Sequence, residues 1–127
     1  MKSNENVWII NSGASRHITG FKDKFETFGN YLTEGVTIGN NSTYPVKGIG
    51  TCSIQLRTGV TLKLKDVLFV LGIKRNLVSI YELVDEGFQV TFNEDKVLYW
   101  PKYSNLKNAI IIGSRDGTLY KLCNIQK

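Results

Sequence analysis

The chain has 127 residues and a mass of 14.3 kDa, which suffices for one domain with a single modest hydrophobic core. Hydrophobic residues make up 42% and charged residues 21%, a balance that excludes a disordered chain. The net charge of +5 permits acidic partners, but the charges are scattered, which favours a solvated surface over a basic patch. We predict a single domain over residues 1–127, with a core from about residue 7 to residue 122 and flexible ends at 1–6 and 124–127.

The sequence does not indicate a metal-binding, cofactor-binding or membrane protein. Cys52 and Cys123 cannot form a structural zinc site alone, because such a site needs about four ligands. No apolar run approaches the roughly 20 residues of a membrane span, and the first residues do not resemble a signal peptide. We therefore expect no metal, no organic cofactor, no membrane contact, free thiols and a cytoplasmic location. His17 has no Ser, Cys or Asp partner at a recognisable spacing and is predicted to be a packing residue.

The first half of the chain predicts short strands in succession. Residues 7–10 form a continuous apolar run, which is typical of a buried strand. Residues 36–38 and 43–46 flank a tip rich in Gly and Asn and predict a hairpin. Residues 52–57 and 60–65 alternate on both sides of Thr58-Gly59 and predict a second hairpin. Another buried strand is predicted at 67–71.

The second half predicts one helix followed by four strands. Asn76 is a candidate N-cap, Gly87 lies where a left-handed C-cap residue belongs, and the apolar positions between them recur at helical spacing: Leu77, Ile80, Leu83 and Val84. Strands are predicted at 88–92, 96–100, 109–112 and 118–122. The sum is a mainly β barrel or sandwich with one helix near the C-terminal third.

The most informative segment is the apolar run at 7–10 followed by Asn11-Ser12-Gly13-Ala14-Ser15. With Asp in place of Asn11, this segment would be the active-site turn of an aspartic protease. Asn has the size and shape of Asp, but it cannot ionise or take up a proton near neutral pH. The segment therefore has the form of a catalytic loop without the catalytic carboxylate.

Four segments in order carry a family resemblance: Trp8 to Gly20, Val36 to Ser42, Leu64 to Ser79, and Gly117 to Tyr120. Together they resemble the protease domain of a copia-type LTR retrotransposon polyprotein, in the retropepsin group of aspartic proteases. The resemblance implies a mainly β, retropepsin-like closed β-barrel with a flap hairpin and one helix in the C-terminal third. It also implies an aspartic endopeptidase that processes a Gag-Pol polyprotein without any cofactor.

The same resemblance implies the site residues. Asn11 stands at the catalytic Asp position, and Ser12 and Gly13 complete the catalytic turn. Substrate-binding positions in the active-site loop and the flap are Ala14, Ile38, Gly39, Asn40, Asn41 and Ser42. Arg75 and Asn76 are implied as structural support. One retropepsin-like chain supplies one half of the catalytic pair, so a homodimer is implied, with an extended polyprotein peptide as the substrate.

Asn11 leaves several interpretations open. It is an engineered Asp-to-Asn substitution, or a natural residue of a decayed or domesticated copy, or an ordinary turn residue of an unrelated β domain. Our main interpretation is a retropepsin-like endopeptidase that is inactive here. The alternative is a noncatalytic peptide-binding or assembly module on the same fold. Nucleic-acid binding by the basic surface is a third option, which we do not expect of this domain alone.

Overall fold

The chain folds into a ten-stranded mixed sheet, a separate two-stranded hairpin and, within the described residues, one short α-helix. The computed structural model describes residues 4–31, 35–38 and 42–126. The helix is α1 (Ile80–Asp85). In chain order the strands are β1 (Trp8–Asn11), β2 (Ile18–Thr19), β3 (Thr27–Gly29), β4 (Val36–Ile38), β5 (Ser42–Tyr44), β6 (Val46–Gln55), β7 (Thr61–Val70), β8 (Asn76–Ser79), β9 (Phe88–Asn93), β10 (Lys96–Pro101), β11 (Ile110–Asp116) and β12 (Leu119–Leu122). The prediction of a mainly β domain is confirmed.

The large sheet is open. Its strand order is β3-β6-β7-β2-β8-β1-β12-β11-β10-β9, so β3 and β9 are terminal strands. The predicted closed barrel is wrong, because closure requires the terminal strands to hydrogen-bond to each other. Among the described residues, an isolated bridge between Leu56 and Asn124 links the chain just after β6 to the chain just after β12, and neither of these is a terminal strand.

Strand β1 lies at the centre of the sheet, with β8 parallel to it on one side and β12 antiparallel on the other. Trp8 and Ile10 point into the larger hydrophobic cluster, whereas Ile9 packs on a second cluster. This alternation follows from the two-residue period of a strand. The predicted strand is therefore present, with one face buried through Trp8 and Ile10 and the other face half-buried at Ile9 and Asn11.

Strand β7 differs from its prediction in extent. The sequence indicated one strand at 60–65 and another at 67–71, but β7 continues through Asp66. Asp66 has a φ of 54°, and the β6–β7 register shifts between Gly50 and Cys52. Such a bulge moves the following side chains to the other face, which breaks the alternation without ending the strand.

The predicted helix start is also wrong. Residues 76–79 form β8, and all four of them are buried. The helix begins after Ser79, whose side chain accepts a hydrogen bond from the Glu82 backbone N–H at 3.1 Å. Parallel pairing with β1 at the centre of the sheet overrides the helical spacing of the apolar residues. Gly87 is confirmed in the left-handed region, with a φ of 100°, one residue after the C-cap Glu86.

The remaining strand predictions are confirmed within a few residues. The 52–57 and 60–65 segments pair as β6 and β7, and the C-terminal segments form β9 to β12. The 36–38 and 42–44 segments pair as β4 and β5, while residues 39–41 at the tip lie outside the described residues. No helix in the described ranges is long and apolar enough to cross a membrane.

Candidate functional site

The candidate site is centred on the loop of residues 11–15, which follows the central strand β1. The Asn11 side-chain oxygen Oδ1 accepts a hydrogen bond from the Gly13 backbone N–H at 2.7 Å, which closes an Asx turn. Ser12, Gly13 and Ser15 are exposed, whereas Asn11 and Ala14 are half-buried. The carboxamide of Asn11 thus shapes its own turn, and the loop presents backbone and hydroxyl groups to solvent.

The buried side of this loop is hydrogen-bonded to Ser79. Its Cα is paired in register with that of Asn11, because β8 runs parallel to β1. The fully buried Ser79 hydroxyl donates to the Ala14 carbonyl oxygen at 2.7 Å and accepts from the Glu82 N–H at 3.1 Å. One hydroxyl therefore ties the loop to the first turn of α1.

His17 is the second support of the loop. Its ring is fully buried, and Nδ1 accepts the Ser79 backbone N–H at 2.9 Å. The neutral ring therefore carries its proton on Nε2. Nε2 has no hydrogen-bond partner in the part of the chain that the structure describes. Burial, helped by the positive charge of Arg16, lowers the His17 pKa from 6.5 to about 4, so His17 stays neutral and acts as an acceptor.

A second buried polar group lies at the other end of β1. The Asn76 Oδ1 accepts the Thr19 hydroxyl at 2.5 Å, and the Asn76 Nδ2 donates to the carbonyl oxygens of Glu5 at 2.7 Å and Val7 at 3.0 Å. Both Thr19 and Asn76 are fully buried. Asn76 thereby fixes the chain that enters β1. Its supporting role stays a prediction, for which these three hydrogen bonds are the structural basis.

An ion pair joins the end of the loop to the helix. The Arg16 Nε lies 3.4 Å from the Glu82 Oε1, and both side chains are mostly covered. Burial raises the Glu82 pKa, while the Arg16 charge acts in the opposite direction. Because the two charges pair with each other, this contact stabilises the position of α1 relative to the loop.

A pocket of about 330 Å³ opens beside the same strand, lined by Val7, Ile9, Arg75, Asn76, Leu119 and Lys121. Arg75 is exposed and has no carboxylate within ion-pair distance in the described ranges, whereas Lys121 contacts Asp116 at 2.8 Å. Ile9 and Asn11 lie on the same face of β1, two residues apart. The pocket and the 11–15 loop are therefore neighbours along one strand.

The structure brings together only part of the predicted site. Asn11, Ser12, Gly13 and Ala14 share the loop, and Arg75 and Asn76 lie at the start of β8. Ile38 pairs with Ser42 across the β4–β5 hairpin, while Gly39, Asn40 and Asn41 lie outside the described residues.

Sequence reasoning missed the contributions of Thr19 and Ser79 and the acceptor role of His17. The available signal was a small polar residue within or beside an apolar run, as at Ser79 after Leu77 and Val78. A buried polar side chain must find a hydrogen-bond partner, so such a residue indicates a buried network.

Residues 11–15 supply no side chain for proton transfer. General acid–base catalysis needs a group that exchanges protons near the operating pH, and residues 11–15 contain no ionisable side chain. The adjacent His17 is held neutral, and Arg16 and Glu82 form a pair. No group of three or more His, Cys, Asp or Glu residues suited to a metal ion occurs among the described residues.

Comparisons with known proteins identify the type of domain. Residues 8–88 match the family described as "Pol polyprotein, beta-barrel domain". The chain is 33% identical over 121 residues to the retrovirus-related Pol polyprotein from transposon TNT 1-94 of Nicotiana tabacum, an alignment that covers 92% of the chain and 8% of the relative. It is 32% identical over 89 residues to that from transposon RE1 of Arabidopsis thaliana, covering 68% of the chain and 6% of the relative. No solved structure matches.

These findings correct the enzymatic prediction. The chain spans less than a tenth of the length of these relatives, and the matching family is a β-barrel domain of Pol, with no protease assignment. The predicted retropepsin-like protease identity is therefore wrong, and so are the predicted endopeptidase function and enzyme class. The copia-type retrotransposon and Pol polyprotein parts of the prediction are confirmed. The chain belongs to the β-barrel domain family of Pol polyproteins.

Proposed function

We propose that this domain is a noncatalytic module of a copia-type Pol polyprotein that binds an extended polypeptide segment through the 11–15 loop. The observation that carries the proposal is the hydrogen-bonded support of an exposed, uncharged loop. Ser12, Gly13 and Ser15 are exposed. The loop is held by two hydrogen bonds, one accepted by the Asn11 side chain and one donated by the Ser79 hydroxyl.

Hydrogen bonds that hold the loop in place favour binding, because a preorganised loop loses little conformational entropy when a partner is bound. Exposed backbone groups next to the end of a strand can hydrogen-bond to an extended chain without regard to its side chains. Loops held on a rigid sheet are also the usual place for recognition residues. The loop therefore has the features expected of a contact surface for polypeptide.

The partner that we favour is a segment of the Pol polyprotein itself. A polyprotein peptide and a second copy of this chain were both predicted as partners, and the single-chain structure leaves both as proposals. A segment of the same polyprotein is present at high effective concentration, because it is covalently linked to the domain. We expect this interaction to take place in the cytoplasm, within the retrotransposon particle.

The experiment is an NMR titration of the ¹⁵N-labelled domain with overlapping synthetic peptides that span the sequence flanking it in its polyprotein. We expect at least one peptide to shift the backbone amide signals of Ser12, Gly13 and Ser15. Ser12→Lys places a long charged side chain on the exposed loop without touching the buried hydrogen bonds, and it should weaken binding severalfold. Shifts confined to other regions, or equal affinity for Ser12→Lys, would contradict the proposal.

A matched pair of serine variants tests the role of loop support. Ser79→Ala removes the hydroxyl that donates to the Ala14 carbonyl, whereas Ser53→Ala removes an exposed hydroxyl that contacts Glu26 at 3.1 Å. We expect weaker peptide binding for Ser79→Ala and unchanged binding for Ser53→Ala. Circular dichroism of each variant establishes that the fold is retained before affinities are compared.

A further inference from the structure

The pocket beside β1, β8 and β12 is separate from the hydrogen bonds that support the 11–15 loop. It contains two cationic side chains, Arg75 and Lys121, which suggest an anionic ligand. We propose that this pocket binds an acidic side chain of the polypeptide, with the carboxylate held by Arg75 and Lys121. The inference rests on the proposed function and names the class of residue that the domain selects.

The charges of the pocket are positive and incompletely neutralised. Arg75 has no carboxylate partner in the portion of the chain described, and its fork of N–H donors matches a carboxylate. Lys121 donates to the Asp116 Oδ2 at 2.8 Å, but an ammonium group has three donors and can also serve a second acceptor. The whole chain carries a net charge of +5, so its field also favours an acidic segment.

The rest of the lining is apolar. The walls are formed by Val7, just before β1, by Ile9 from β1 and by Leu119 from β12, which is 43% exposed. An apolar residue next to the acidic one can cover these walls. Its burial excludes water from the ion pair, which strengthens the attraction between carboxylate and guanidinium.

The floor of the pocket is preformed. Asn76 lines it, but all of its side-chain polar atoms are engaged with Thr19 and with backbone carbonyl groups. Asn76 therefore positions the start of β8, and with it Arg75, and is not expected to contact the ligand. A volume of about 330 Å³ is at the small end of ligand sites, which fits a side chain and its neighbour.

The pocket is also placed for the same polypeptide that contacts the loop. Ile9 in the pocket and Asn11 at the loop are on one face of β1, and alternate residues of a strand are roughly 7 Å apart. An extended peptide has the same spacing between its own alternate side chains. One bound segment can therefore contact the 11–15 loop and place an acidic side chain in the pocket.

The test compares two end-blocked peptides that differ in one group, Val-Thr-Leu-Asp-Val-Thr and Val-Thr-Leu-Asn-Val-Thr. Asn keeps the shape of Asp and removes its charge, and blocked ends exclude binding of a terminal carboxylate. Isothermal titration calorimetry should give about threefold to tenfold tighter binding of the Asp peptide at low salt, the range expected of partly exposed ion pairs. The preference should shrink as added salt screens the charges.

Variants locate the contact. Arg75→Gln should abolish most of the preference for Asp and leave the affinity for the Asn peptide unchanged. Arg57→Gln is the matched control, because Arg57 is an exposed cation that lies outside this pocket. Methyl NMR signals of Ile9 and Leu119 should shift with the Asp peptide.

The outcomes separate the two proposals. If both peptides bind equally and Arg75→Gln changes nothing, the acidic-pocket inference is overturned and the proposed function stands. If the Asp preference is lost equally in Arg57→Gln, the charge effect is general and the pocket inference is also overturned. If neither these peptides nor the polyprotein segments bind, the proposed function fails together with the inference.

Discussion

The neutral, buried His17 makes the stability of the domain depend on pH. Burial, with a smaller contribution from the Arg16 charge, lowers its pKa from 6.5 to about 4 in the folded chain. In the unfolded chain the ring takes up its proton near the ordinary value. Between these two pKa values the unfolded state binds more protons, so acidification favours unfolding. The contribution to stability is fully present above pH 6.5 and is lost as the pH falls to about 4.

The magnitude follows from the two pKa values. Each pH unit between them corresponds to about 1.4 kcal/mol, so the fall from 6.5 to about 4 is worth about 3 kcal/mol of unfolding free energy. A protonated Nδ1 can no longer accept the Ser79 N–H, so the support of the loop is lost together with this stability. For a small domain this amount is a large part of the total free energy of unfolding.

Urea unfolding of the native chain and of His17→Gln, from pH 7 down to pH 4, measures the effect. Gln is polar and neutral at every pH, so the variant should lose the His17 contribution to the pH dependence even if it is less stable at pH 7. The pKa values of Glu82 and Glu86 are raised, chiefly by burial, which makes acidification favour folding. Both carboxyl groups are present in both proteins, so the difference in slope isolates His17. Equal slopes would refute the reasoning.

Two further predictions concern backbone packing and thiol chemistry. Gly20→Ala should destabilise the domain by several kcal/mol in chemical unfolding, because a Cβ would lie 1.5 Å from the Ile73 carbonyl oxygen and the backbone would have to move. Gly29→Ala, where a Cβ meets nothing within 4 Å, is the control and should leave the midpoint nearly unchanged. Cys52 is fully buried, and burial raises its pKa to about 12, so iodoacetamide at pH 8 should modify it only after unfolding. Rapid modification of Cys52 itself in the native protein, assigned by peptide mass spectrometry to distinguish it from the partly exposed Cys123, would contradict this burial.

Local patterns predicted most of the strands because they depend on residues close in sequence. Alternation around Thr58-Gly59 predicted the hairpin of β6 and β7, and turn residues predicted the C-terminal strands. The bulge at Asp66 could not be predicted in the same way, because it arises from the register between β6 and β7. The family resemblance was likewise partly right: it identified a copia-type Pol polyprotein region, while the domain type within Pol was wrong.

The sequence by itself determined that the chain is a mainly β domain whose central apolar strand ends in the Asn11-Ser12-Gly13 turn. Only the tertiary structure decided that 76–79 is a strand, because its pairing with β1 joins residues far apart in the chain. That pairing brings Ser79 into hydrogen-bonding contact with the Ala14 carbonyl and with His17, so two polar side chains far apart in sequence together support the loop. Periodicity records which face of a segment is apolar, but the partner that covers this face is chosen by long-range packing.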